Sequence, residues 1–211
     1  GRTSAGGQGR AIQCQLDSTG ATCGALDLEF DEWSWDDFDP IRVEGIVSGG
    51  TALSVIGVQG ISQGAPSGLW LTEDGDTFTI HPLGPGLDLE AVLRPTKDQA
   101  WLFGADALVA SYSPSGWSTW PAPLDDLSFK AATMRGDILL AVGESVTTSQ
   151  AWLITLDLKE SAVTTESWRV SALGDNRHVH DIHANAMGVT IVGAALQSDG
   201  TTRPHLWYLE F

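Results

Sequence analysis

Four short apolar runs in this chain end in glycine: Val55-Ile56-Gly57, Leu102-Phe103-Gly104, Ala141-Val142-Gly143 and Ile191-Val192-Gly193. Each glycine stands eleven positions after an apolar residue that closes an earlier strand-like run, namely Ile46, Leu93, Ala132 and Ile182. The glycines are 47, 39 and 50 residues apart, the interval at which one four-stranded propeller blade follows another. Around them the runs fall into a repeating strand order. Unit one spans 41–47, 52–58, 69–72 and 77–80; unit two spans 89–94, 100–104, 107–113 and 117–120. Unit three spans 128–134, 138–143, 151–157 and 165–170, and unit four spans 178–183, 189–194 and 206–211, one strand short.

Aromatic residues recur at fixed places in this frame. Third strands carry Leu69-Trp70-Leu71, Ala151-Trp152-Leu153 and Leu206-Trp207-Tyr208, and fourth strands carry Phe78, Trp117 or Trp120, and Trp168. Flat rings at such positions fill the space between twisted sheets, so most of the nine tryptophans are expected in the core. The segment from Glu29 to Pro40 alternates aromatic with acidic residues at strand period. The fold class expected is all-β, a propeller of about four four-stranded blades. Either the strand around Trp33 and Trp35 pairs with 206–211 and closes the ring, or Ala11–Leu16 and Ala25–Leu28 add strands of a partial fifth blade. Residues 1–10 read as a flexible segment and 11–211 as one propeller domain.

Between the third and fourth strands of unit one stands Thr72-Glu73-Asp74-Gly75-Asp76-Thr77-Phe78, and unit two has Ser113-Pro114-Ser115-Gly116-Trp117-Ser118-Thr119-Trp120 at the same turn. These resemble the Asp-box, or bacterial neuraminidase repeat, of sialidase-like β-propellers. The first copy is one residue short with Phe78 for tryptophan, and the second has Ser115 for the aspartate and Trp117 for the glycine. The resemblance implies a propeller whose box is a structural turn away from the ligand face. It does not carry a sialidase site: Pro40-Ile41-Arg42-Val43 inverts the first arginine motif, and Tyr112 and Tyr208 fall on third strands.

Charge narrows the partners. With 27 acidic against 11 basic side chains the net charge is −16, which repels phosphate backbones and anionic headgroups, so neither nucleic acid nor membrane insertion is expected. Cys14 and Cys23 flank a polar, turn-forming stretch and are expected to form a disulfide. That bond places the protein outside the cytosol, extracellular or in the cell envelope.

The densest chemistry is Arg177-His178-Val179-His180-Asp181-Ile182-His183. His178 and His180 would share a strand face and could hold a divalent transition metal, with Asp181 or His183 brought in only by a bulge. Two places before each first-strand anchor stand Glu44, Ala91, Lys130 and His180, a carboxylate, an ammonium and an imidazole converging on a channel mouth. Glu44, Lys130, His180 and His183 are the expected ligand-binding residues. The expected function is an exported, non-catalytic module that recognises a glycan or protein through rim loops, of which 59–68 and 195–205 look longest. The alternative is a metal-assisted or carboxylate/histidine hydrolase at the channel mouth. An incomplete ring would require a partner chain.

Overall fold

The computed structural model describes residues 12–17, 20–25, 38–48, 51–60, 66–72, 78–96, 98–159, 167–175 and 177–210. Every regular element among them is a β-strand, and all strand pairings are antiparallel. The chain forms two compact units, residues 1–88 and 89–211. The segments 1–10 and 29–37, with Trp33 and Trp35, lie outside the described residues.

The first unit opens with a hairpin of β1 (Ile12–Asp17) and β2 (Gly20–Ala25), in which Cys14 stands directly opposite Cys23. The strands reach further towards the turn than the polar composition of 15–22 predicts, leaving two residues between them. A four-stranded meander follows: β3 (Phe38–Ser48), β4 (Thr51–Gly60), β5 (Pro66–Thr72) and β6 (Phe78–Pro85). The first Asp-box-like stretch joins β5 to β6, and its turn, 73–77, lies outside the described residues. Gly68 is obligatory here, because a Cβ would come within 2.4 Å of the His81 carbonyl on β6. The buried Ser67 hydroxyl beside it donates to the Leu87 carbonyl at 3.1 Å.

The second unit holds two four-stranded meanders and one of three strands, each in chain order. The first comprises β7 (Leu89–Thr96), β8 (Gln99–Gly104), β9 (Val109–Ser113) and β10 (Gly116–Thr119). The second comprises β11 (Leu127–Arg135), β12 (Ile138–Ser145), β13 (Gln150–Asp157) and β14 (Trp168–Asp175). The third comprises β15 (Arg177–Ala184), β16 (Gly188–Leu196) and β17 (Thr202–Glu210).

The central sheet of this unit explains the unbroken apolar runs. On β12, Leu139 and Ala141 face one core with Leu93, Trp101, Phe103, Phe129, Ile154 and Trp168. Leu140 and Val142 face a second core with Val179, Ile182, Val189 and Ile191. A strand covered on both faces has no polar side, so Ile138-Leu139-Leu140-Ala141-Val142 is continuous rather than alternating. First strands β7, β11 and β15 lie side by side, β11 between the other two.

The tryptophans are placed as packing demands. Trp101 is 1% exposed and stacks with Phe103 and Trp120 at centroid distances of 6.4 and 5.9 Å. Indole N–H groups of Trp120, Trp168 and Trp207 donate to Ser111 Oγ, the Pro121 carbonyl and the Leu173 carbonyl at 2.8, 3.0 and 3.2 Å. The buried indole N–H groups of Trp101 and Trp152, by contrast, have no hydrogen-bond partner among the described residues, so these rings are held by packing alone.

The connections between second and third strands differ from expectation. They are 61–65, 105–108, 146–149 and 197–201, close to one another in length, because the strands themselves extend into the stretches that read as long loops.

Candidate functional site

A β-bulge recurs in every first strand of the four larger sheets. The ladder skips Ile41 on β3, Glu90 on β7, Lys130 on β11 and His180 on β15. Beside each bulge the first strand pairs with one of the repeating glycines: Arg42 with Gly57, Leu89 with Gly104, Phe129 with Gly143, Val179 with Gly193. The bulge is why the glycine is needed. It pushes the first-strand backbone towards the second strand, so a Cβ on Gly143 would lie 2.7 Å from the Ser128 carbonyl, and one on Gly193 2.1 Å from that of His178.

The bulges also decide which side chains leave the core face. Glu90 and Lys130 occupy the same bulge on neighbouring first strands, and Lys130 Nζ bonds Glu90 Oε1 at 3.1 Å. Both are roughly a quarter to a third exposed, so the pair contributes at most about 1 kcal/mol and serves chiefly to hold the lysine in place. His180 takes the corresponding position on β15 and is exposed.

Two places before the first-strand anchors, Ala91 and Glu44 are the residues expected in this row. Ala91 is instead buried in the core at 1% exposure, opposite Phe103, and the bulge residue is Glu90. The shift arises because β7 has a second irregularity between Leu93 and Thr96 that the count absorbs. Glu44 belongs to β3, opposite Val55 and three places past the bulge at Ile41. Its side chain lies outside the described residues.

The histidine-rich strand is bulged as its spacing required. His180 leaves the ladder, Asp181 pairs with Val192, and the exposed His183 pairs with Thr190. His178 Nδ1 lies 3.1 Å from Glu144 Oε2, and Glu144 Oε1 accepts the Val179 N–H at 2.7 Å. One carboxylate thus fixes both the imidazole and the backbone of the strand that carries it. With Nδ1 bonded to Glu144, Nε2 of His178 is the nitrogen left for a ligand or proton. Among the described residues, no group of three or more His, Cys, Asp or Glu side chains is placed to hold a metal ion.

Glu144 is itself held by the turn after it. Asp126 accepts from the Ser145 and Thr147 hydroxyls, the Val146 N–H donates to the Asp126 carbonyl at 2.9 Å, and Thr148 donates its N–H to Ser145 Oγ at 3.1 Å. Hydrogen bonds from Ser145 and then Thr147 hold the Asp126 carboxyl below its ordinary value of 3.8. Glu90 and Glu144 are the residues that sequence reasoning missed. The only signal for either was a carboxylate one place from a repeat position, beside Ala91 and after Gly143.

The second Asp-box-like stretch forms the β9–β10 hairpin, where Ser113 and Ser115 hydroxyls meet at 2.7 Å and Gly116 has φ of 109°. Cys14 and Cys23 are opposite in register, and their side chains lie outside the described residues. No known protein family matches this chain, and no curated protein is detectably similar to it in sequence.

Proposed function

We propose that the chain is an exported, non-catalytic binding module whose sheets are the blades of an Asp-box-type β-propeller of about four blades, taking a glycan or protein at the rim near the starts of its first strands. The observation that carries this reading is the bulge row. Glu90, Lys130 and His180 are presented from the same position of three successive first strands, with their polar heads lifted out of the ladder. Chemically different groups on one repeated backbone device are what a recognition surface requires. Consecutive four-stranded antiparallel meanders with adjacent first strands support the propeller reading.

A glycan and protein array probed with the intact chain tests the proposal. At least one ligand should bind, and Lys130→Ala with His180→Ala should abolish that binding with little loss of stability; unaltered binding would place the site elsewhere. A second reading, a metal-assisted or carboxylate/histidine hydrolase, draws on the Glu144–His178 pair, which leaves Nε2 as a base or ligand with His180 close in sequence. Metal analysis after incubation with zinc separates the two: stoichiometric zinc lost in a His178→Ala variant favours the hydrolase.

A further inference from the structure

The β15–β17 sheet carries two arginines and a histidine on one face at its rim. Arg177, Ala195 and Arg203 are partners across β15, β16 and β17, so both arginine stems rise from the same face, roughly 10 Å apart at Cα with only a methyl group between them. In the next row on that face, Val179, Gly193 and His205 are partners, and the Trp207 ring lies over the central glycine. Arg177 crosses the middle strand: its Nη1 lies 3.5 Å from His205 Nδ1 on β17.

The acceptor is itself fixed. His205 packs edge-on against Trp207, 4.4 Å between centroids, and Trp207 is tied to the Leu173 carbonyl. Accepting at Nδ1 puts the imidazole hydrogen on Nε2, a further outward donor. Among the described residues, neither Arg177 nor Arg203 has a carboxylate within ion-pair distance. That is unexpected in a chain with 27 acidic side chains for 11 basic ones. An arginine doublet with no carboxylate partner among the described residues keeps its forked donors available to an outside anion.

We infer that Arg177, Arg203 and His205 bind a single oxyanion carried on a sugar, either a hexuronate carboxylate or a sulfate ester; this rests on the binding-module reading and names its ligand class. The donors are N–H groups throughout, and the Trp207 ring, on the same face of β17, lies over Gly193 beside them. The net charge of −16 disfavours dense polyanions and leaves a sparsely charged glycan as the suitable carrier.

Calorimetry of the intact chain with trigalacturonate, its methyl ester, a sulfated maltotriose and triglutamate tests this. One of the two anionic sugars should bind at least tenfold more tightly than the methyl ester, and which one does so tells carboxylate from sulfate. Arg203→Ala, at an exposed position, should weaken that binding at least tenfold without changing the melting temperature, and Arg177→Lys should do the same. Equal binding of acid and ester, indifference to Arg203→Ala, equal affinity for triglutamate, or no binding of either anionic sugar would each overturn the inference. The array then separates the two failures: ligands that persist in Arg203→Ala leave the module reading standing, and a silent array removes both.

Discussion

Four residues show how differently a local conformation is enforced. Asp106 and Ala107 both have positive φ, 52° and 58°, in a turn closed by the Leu108 N–H on the Ala105 carbonyl at 3.1 Å. An alanine there carries a left-handed penalty of about 1–2 kcal/mol, partly offset by the greater unfolded-state freedom of glycine. Ala107→Gly therefore creates the favoured Asp-Gly pair and should stabilise the protein by about 0.5–1 kcal/mol in urea unfolding. Gly193→Ala should cost about 3 kcal/mol, because its Cβ meets the His178 carbonyl and the Trp207 ring rather than open space. Gly200→Ala, with φ of 80° and nothing within 4 Å, should cost only about 1 kcal/mol of backbone strain. Asp126 gives a pH signature. Its carboxyl is held low in the folded state, so the unfolded chain takes up the proton first. The stabilisation is full above 3.8 and is lost as pH falls through and below that value. Urea midpoints measured from pH 6 to pH 3 should fall less steeply for Asp126→Asn than for the parent.

At the scale of elements, strand existence and order were legible and register was not. Continuous runs such as 138–142 and the glycines closing them announce strands, and β12 and β16 fall where those runs stand, β12 covered on both faces and β16 with Val192 and Leu196 exposed on one. The eleven-residue interval, constant in sequence, conceals unequal structure. Ile46 pairs with Leu53, Leu93 with Trp101 and Ala132 with Ala141, because hairpin turns and the extra irregularity in β7 divide the same count differently. The same count therefore falls on Ala91 and Glu44, whereas the bulge holds Glu90 and Ile41. Bulges leave no residue signature of their own, so Glu90 was visible only once the ladder was known, and Glu144 only once β12 met β15. The β1–β2 hairpin carries a further expectation. Directly opposed cysteines are within bridging reach in an antiparallel pair. Thiol titration of the denatured, unreduced chain should find no free thiol, and two would refute the bond.

At the scale of the whole molecule, 27 acidic side chains on 211 residues make self-repulsion a general destabilising term. Raising sodium chloride from 20 to 500 mM should increase the thermal midpoint by a few degrees, since the Debye length shrinks from roughly 20 Å to about 4 Å. A midpoint that falls with salt would mean that attractive pairs such as Lys130–Glu90 outweigh the net field. The bulge shared by the first strands has a broader consequence. In the second unit one backbone slot, set by the repeating glycine opposite, holds glutamate, lysine and histidine in three copies of the same sheet. Because the ladder bypasses that slot, its occupant is under almost no obligation to hold the strands together, and chemistry there can be exchanged while the scaffold stays constant. Such a position is a natural place to graft a new recognition or catalytic group, with the neighbouring glycine as the part that must be left alone.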